Sequence, residues 1–102
     1  MFKNIDIEEL HQMRERGAIH LIDVRTEAEV ARGKIEGANH IPLHLLPLKV
    51  AELERGLPAV IYCQSGGRSM QACAYLASNG LTQLHNLQGG VMAWVRSGLA
   101  LV

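Results

Sequence analysis

The chain has 102 residues, of which 48% are hydrophobic and 20% are charged. This length and composition are typical of one compact domain, so we expect residues 1–102 to form a single domain and exclude a disordered chain. Ten basic residues balance ten acidic ones, and without a basic excess the chain is not expected to bind nucleic acid.

The sequence predicts neither a secretion signal nor a membrane span. Charged residues near the start interrupt the apolar run that a signal peptide needs, and no apolar stretch is long enough to cross a bilayer. The two cysteines, Cys63 and Cys73, are too few for a disulfide framework. We therefore expect a cytoplasmic protein with reduced thiols and no membrane partner.

The first elements in chain order are a helix, a strand and a second helix. The segment Asp6–Glu9 has the form of a capping box, and Gly17 stands where a left-handed residue would close the helix. Residues 18–24 (A-I-H-L-I-D-V) predict a strand buried on both faces. A second capping box over Thr26–Glu29 begins a helix that ends near Gly33.

The rest of the chain continues the alternation of strands and helices. The predicted elements are a weak strand over 38–43, an amphipathic helix over 45–53, strands over 59–63 and 84–88, and helices over 69–78 and 90–97. The run A-V-I-Y-C at 59–63 is the most convincing strand. Such alternation predicts an α/β domain with a mostly parallel sheet.

The loop after this strand combines groups that favour a reactive thiolate. Cys63 follows the strand at its carboxyl end, where parallel sheets bind ligands, and faces the start of a helix near Ser69. The helix N-terminus would lower the cysteine pKa from about 8.5 to roughly 3.5–7.5. Gly66 and Gly67 would turn backbone amides toward the sulfur, and Arg68 adds a positive charge. This combination predicts a nucleophilic cysteine that handles an anionic substrate.

Three segments of the chain resemble the rhodanese family of sulfurtransferases. The loop 63–69 (C-Q-S-G-G-R-S) is similar to the family's active-site loop, which often contains C-x-x-G-x-R. Residues 87–94 (L-Q-G-G-V-M-A-W) resemble its C-terminal signature. The residues that resemble its N-terminal signature are Leu21 to Arg25, Glu29, Gly33, Ile35, Gly37, Ala38, Ile41 and Pro42. These segments follow the family order over nearly the whole chain.

Three positions depart from the family pattern. Lys34, Glu36 and Val30 stand where histidine, proline and an aromatic residue are common. None of them lies in the proposed loop, so the departures concern local packing rather than the chemistry.

The resemblance implies a rhodanese-like fold, with a five-stranded parallel sheet and helices on both faces, and a two-step reaction. Cys63 would attack the sulfane sulfur of a donor such as thiosulfate or a persulfide, and would pass it to cyanide, a thiol or a sulfur-carrier protein. No cofactor or metal is implied. The residues expected to bind the substrate and the persulfide are Gln64, Ser65, Gly66, Gly67, Arg68 and Ser69.

The length of the loop separates this interpretation from two rival ones. Cysteine-dependent phosphatases and arsenate reductases place five residues between cysteine and arginine, whereas only four separate Cys63 from Arg68. A shorter loop should fit one sulfur atom but not a tetrahedral oxyanion. The loop length therefore argues against a phosphatase, and a nucleotide-binding P-loop is even less expected because this segment lacks the lysine and the upstream glycine of that motif.

Neighbouring residues are expected to support the loop. Asp23 is expected to accept hydrogen bonds from the loop backbone or from Arg68, and Arg25 to pair with Glu29 or line the mouth of the site; for both, structural and catalytic roles are open. Ser69 is expected to cap the helix. Cys73, in an alanine-rich helix, is expected to serve packing only.

The five histidines show no metal-ligand spacing, although His44 follows a predicted strand end and could approach the site. Three functions remain open from the sequence. They are a sulfurtransferase enzyme, a persulfide carrier in a sulfur relay, and a regulatory domain. Regulatory rhodanese-like domains commonly lack the cysteine, so its presence argues against the third.

Overall fold

A computed structural model describes all residues, 1–102. The strands are β1 Phe2–Ile5, β2 His20–Asp23, β3 Asn39–His40, β4 Ala59–Tyr62 and β5 Leu84–Leu87. The helices are α1 Ile7–Arg16, α2 Glu27–Ala31, α3 Leu46–Lys49, α4 Gly67–Ser78 and α5 Gly90–Arg96, with 3-10 turns at Leu43–Leu45 and Val50–Glu52. None of the helices has the length and apolar content that a membrane span requires.

The five strands form one parallel sheet in the order β1-β5-β4-β2-β3. The predicted α/β class with a five-stranded parallel sheet is therefore confirmed. Strand β4 lies in the middle, and all four of its residues are buried. This central position places the residue after β4 at the middle of the carboxyl edge of the sheet.

Each face of the sheet carries its own hydrophobic core and its own helices, as predicted. One core joins Ile22 and Ile61 of the sheet to Ala72 and Leu76 of α4. The other joins Val60 and Tyr62 to Leu10 of α1 and to Val91 and Trp94 of α5. Side chains alternate between the two faces along each strand, so a strand covered on both sides is apolar throughout.

Both predicted capping boxes are present. The Asp6 side chain accepts from the Glu9 amide at 2.8 Å, and the Glu9 carboxylate accepts from the Asp6 amide at 3.1 Å. Thr26 and Glu29 make the same pair of contacts at the start of α2. The prediction for Gly17 is only partly right: it follows the last helical residue, but its φ of 166° is extended rather than left-handed.

Three predicted elements differ from the structure. Strand β1 was not predicted, because its four residues include exposed Lys3 and Asn4 at the sheet edge and bury only Ile5. The weak strand over 38–43 shrinks to two residues. The helix over 45–53 is divided into short α and 3-10 turns, with Pro47 in the first turn of α3.

Candidate active site

Cys63 lies directly after β4, between the sheet and the first turn of α4. Its side chain is buried, with the residue 1% exposed. The backbone amide of Gly66 donates to the Cys63 sulfur at 3.1 Å, and the Ser69 hydroxyl lies 3.4 Å from the sulfur. The loop therefore folds back so that the helix start presents donors to the thiol.

These contacts set the acidity of the thiol. Burial alone would raise the pKa of Cys63, because it disfavours the charged form. Hydrogen bonds from the Ser69 side chain and from the backbone amides of Ser69, Gly66 and Ser65 outweigh burial, and the pKa is lowered. The site therefore favours a thiolate more than an ordinary cysteine environment does.

Helix α5 fixes the first two residues of the loop from the other side of the sheet. The amides of Val91 and Met92 donate to the carbonyl oxygens of Cys63 and Gln64, both at 3.0 Å. A Cβ at Gly90 would lie 2.2 Å from the Cys63 carbonyl oxygen, and the φ of Gly90 is +51°. Only glycine permits this approach without a shift of the backbone.

The two loop glycines have different roles, which corrects the sequence prediction. Gly66 has a φ of +117° and is the N-cap residue of α4, as a turn of amides toward the sulfur requires. Gly67 has no positive φ and is already the first helical residue. Helix α4 thus begins two residues earlier than predicted, because Gly66 alone makes the turn.

Ser69 does not cap the helix, so the prediction for it is wrong. The N-cap residue of α4 is Gly66, and no side chain makes a capping hydrogen bond to this helix. The Ser69 hydroxyl instead donates toward the Gly66 carbonyl oxygen at 3.0 Å and the side-chain oxygen of Asn86. Ser69 is fully buried and Asn86 is 2% exposed. The sequence does not single out Asn86, because β5 also contains His85 and nothing in this short strand shows which polar residue is buried.

Arg68 is held by Glu29 rather than left free. Two nitrogens of its guanidinium donate to the two carboxylate oxygens, at 2.7 and 2.8 Å. This pairing lowers the pKa of Glu29 to about 2. Glu29 also accepts from Thr26, so the ion pair joins the cap of α2 to the start of α4. The pairings of Glu29 with Arg25 and of Arg68 with Asp23, each one of two predicted alternatives, are not formed, and Arg25 instead lines a cavity with Arg68.

Asp23 and Arg25 form their own buried pair after β2. The Arg25 guanidinium donates to both Asp23 carboxylate oxygens at 2.8–3.1 Å, and the Arg25 amide donates to the same carboxylate at 2.9 Å. Arg25 also donates to the Gly33 carbonyl oxygen at 2.7 Å. Because these two side chains form hydrogen bonds with each other and with nearby backbone, the contacts favour a structural role.

The remaining predicted residues lie around the edge of the loop. Gln64 is half-buried and Ser65 is exposed. His44 is exposed and lines a shallow cavity with Arg68 and Thr26. A second cavity is lined by Ser65 and Asn86, among other residues.

No group of three or more His, Cys, Asp or Glu side chains is arranged to hold a metal ion. Cys73 lies in the core against the sheet, as the packing interpretation predicts, and is not bonded to Cys63. Burial raises the pKa of Cys73 to about 12.

Comparison with known proteins places this geometry in context. The sequence model of the rhodanese-like domain matches residues 6–97. The chain is 45% identical over 103 aligned positions to a protein of Allochromatium vinosum named "Sulfurtransferase", covering 100% of this chain and 96% of that one. It is 36% identical to the "Thiosulfate sulfurtransferase GlpE" of Stutzerimonas stutzeri, covering 91% and 84%. The crystal structure of a rhodanese-like domain protein from Staphylococcus aureus superposes with a TM-score of 0.86 at 33% identity, covering 98% of both chains.

Proposed function

The chain belongs to the rhodanese-like domain family, and on that basis we propose that it is a sulfurtransferase that carries sulfur on Cys63 as a persulfide. The observation that carries the proposal is the contact of the Cys63 sulfur with the Gly66 amide at the start of α4. We further propose that residues 1–102 act as one such domain, since β1 pairs with β5 inside the same sheet.

In the first step, the Cys63 thiolate attacks the outer sulfur of a donor such as thiosulfate. A sulfur–sulfur bond forms on Cys63, the sulfur–sulfur bond of thiosulfate breaks, and sulfite leaves with the electron pair. One thiolate and one thiosulfate dianion become one persulfide anion and one sulfite dianion, so charge balances. The lowered pKa of Cys63 supports this step, because a thiolate is the attacking species.

In the second step, an acceptor takes the outer sulfur and Cys63 leaves as a thiolate. Cyanide would give thiocyanate, and a thiolate acceptor would give a new persulfide. The acceptor is a small thiol, cyanide or the cysteine of a sulfur-carrier protein. Amide donors around the loop stabilise the negative sulfur in both steps, because fixed dipoles in a buried site act more strongly than water does.

The pairing of Arg68 supports sulfur rather than oxyanion transfer. Its guanidinium is engaged by Glu29 through two hydrogen bonds, so the loop offers the nucleophile amide donors in place of an arginine clamp. Four residues separate Cys63 from Arg68, which makes a small cradle. We propose that Gln64 and Ser65, at the edge of this cradle, contact the arriving donor or acceptor.

Intact-mass measurement tests the proposal directly. The purified protein is incubated with thiosulfate and desalted, and its intact mass is measured by mass spectrometry. It is then treated with cyanide, and the mass is measured again. We expect a gain of one sulfur atom that cyanide reverses, no gain in Cys63→Ser, and an unchanged gain in Cys73→Ser. The Cys73 variant is the matched control, because that thiol is equally buried but lies in the packed core. A gain that survives in Cys63→Ser would reject Cys63 as the sulfur carrier.

A further inference from the structure

A line of hydrogen-bonded polar side chains runs from the Cys63 sulfur across the sheet. Ser69 lies 3.4 Å from the sulfur and bonds to the side-chain oxygen of Asn86. The side-chain nitrogen of Asn86 donates to the side-chain oxygen of Asn4 at 3.0 Å. Asn86 is 2% exposed and belongs to β5, where Leu84 lies in one apolar core and Leu87 in the other. Packing alone does not explain why the side-chain amide of Asn86 is buried in this strand.

The Ser69 hydroxyl has one proton and three neighbours that can accept it. These are the Cys63 sulfur, the Gly66 carbonyl oxygen and the Asn86 side-chain oxygen. The Gly66 carbonyl also receives the amide of Met70, so it does not depend on the serine. Ser69 is the only donor to the Asn86 oxygen, and a buried acceptor without a donor is unfavourable.

The orientation of the Asn86 amide is fixed by β1. Asn4 and Asn86 face each other in the register of the β1–β5 pair, and Asn4 accepts from the Asn86 nitrogen. The Asn86 oxygen is thereby directed toward Ser69. If the amide turned over, its nitrogen would donate to the serine oxygen, and the serine proton would be free for the sulfur.

We propose that Asn86 is a positioning residue, whose side-chain oxygen competes with the Cys63 sulfur for the Ser69 proton and whose orientation is held by Asn4. The proposal rests on the proposed function only in taking Cys63 as the reactive sulfur. When Cys63 is a thiol, its proton bonds to the serine oxygen and the serine proton stays on Asn86. When the sulfur becomes negative, the serine hydroxyl rotates toward it and the Asn86 oxygen loses its donor. Asn86 thus restrains formation of the thiolate.

Charged groups also face this sulfur, and the test must hold them constant. Arg68 interacts with Cys63 and is paired with Glu29, while Asp23 is paired with Arg25. Lys3 and His85 adjoin the two asparagines in their strands, so their side chains point to the other face of the sheet. Burial raises the pKa of Cys73 in α4 to about 12. None of these groups is altered in the variants below.

The titration of Cys63 tests the proposal without any sulfur donor. Cysteine is labelled with carbon-13 at Cβ, and the Cys63 chemical shift is followed against pH in the wild type, Asn86→Leu, Ser69→Ala and the double variant. We expect Asn86→Leu to lower the midpoint by about one pH unit, which is a tenfold rise in the thiolate-to-thiol ratio at a given pH, since the serine then donates to the sulfur. The double variant should titrate like Ser69→Ala alone, because no proton is left to direct.

A shift in Asn86→Leu that persists in the Ser69→Ala background would overturn the proposal, as would an unchanged midpoint in folded Asn86→Leu. If Asn86→Leu does not fold, the exposed Asn4 decides. Asn4→Ala should lower the midpoint by less than Asn86→Leu does, and no shift in Asn4→Ala overturns the proposal. If the Cys63 midpoint does not change, the role of Asn86 fails but Cys63 can still form a persulfide. If no persulfide forms, the proposed function fails but the shifts of the midpoint are still expected.

Discussion

The chain contains two buried cysteines in opposite electrostatic environments. Cys63 is 1% exposed and Cys73 is fully buried, and both belong to the core on the α4 face of the sheet. The pKa of Cys63 is lowered, whereas burial raises that of Cys73 to about 12. The difference therefore comes from hydrogen-bond donors, not from exposure.

The position of each residue relative to α4 explains this difference. Cys63 precedes the helix, where backbone amides have no partner within the helix and can donate to sulfur. Cys73 lies inside the helix, where the amides are already paired. Burial without donors makes an inert thiol, and burial with donors makes a reactive one. Four predictions test this contrast, three by substitution and one by chemical labelling.

The largest effect is expected from Gly90→Ala, which removes the anchor of the Cys63 loop. The new Cβ would meet the Cys63 carbonyl oxygen at 2.2 Å, so the backbone must shift and the donors to the sulfur are displaced. We expect a loss of about 3 kcal/mol or more in the free energy of unfolding, measured by urea denaturation.

Gly17→Ala is the matched control, because a Cβ there has nothing within 4 Å and the φ is extended. It should change the free energy of unfolding by less than about 1 kcal/mol. Equal stability of the two variants would contradict the role assigned to Gly90.

The second prediction compares the two thiols directly by alkylation. At pH 7, we expect iodoacetamide to label Cys63 at least about 100-fold faster than Cys73 in the folded protein. With a pKa of about 12, Cys73 is almost wholly protonated at this pH, and only thiolates react quickly. Peptide mass spectrometry of timed samples gives both rates in one experiment. Similar rates would show that burial, which the two share, controls reactivity.

The third prediction concerns stability at alkaline pH. The folded state keeps the Cys73 proton up to about pH 12, whereas the unfolded chain loses it near the ordinary thiol value. Stability must therefore fall as pH rises through that interval, by at most about 1.4 kcal/mol per pH unit. Cys73→Ala should remove about 1–2 kcal/mol of the fall between pH 8.5 and 10.5. Urea denaturation at the two pH values measures it, and parallel pH profiles for both proteins would refute it.

The smallest effect is expected from Glu29→Gln, which frees Arg68 beside the Cys63 loop. The pair is partly exposed, so its loss should cost no more than about 1 kcal/mol at pH 7. The pKa of Glu29 is about 2, below its ordinary 4.5. Its contribution is therefore fully present above pH 4.5 and is lost as pH falls toward 2.

We therefore expect the difference in stability between Glu29→Gln and the wild type to shrink as the pH falls from 7 to 3. Thermal unfolding of both proteins over this range measures the difference. Glu27→Gln is the control, since Glu27 lies in the same helix turn but makes no ion pair and is exposed. A constant difference between Glu29→Gln and wild type across that range would show that the carboxylate's charge does not matter.

The sequence predicts the parts of the site that depend on local spacing. Cys63 at the end of an apolar strand, the glycines after it and both capping boxes can be read from neighbours a few residues apart. The alternation of strands and helices likewise predicts the parallel sheet. Each of these features arises from contacts within one turn or one strand.

The features that the sequence does not predict depend on residues far apart in the chain. The bond between Asn86 and Asn4 spans 82 positions, and no periodicity connects them. The sequence does not predict the partners of Arg25 and Arg68, because the strand ends bring several carboxylates to the same edge of the sheet and either arginine could pair with any of them. Arg25 folds back on Asp23 two residues away, which leaves Glu29 for Arg68.

The place of β1 in the sheet determines when the site can be completed during synthesis. Residues 2–5 are made before the other four strands, but their only neighbour in the sheet is β5, the last of the five strands to be made. Contacts between such distant segments slow folding, since a long loop must close before any pairing forms. During synthesis β1 has no partner in the sheet until residues 84–87 are made, so the line of hydrogen bonds from Ser69 to Asn4 forms only after β5 is available.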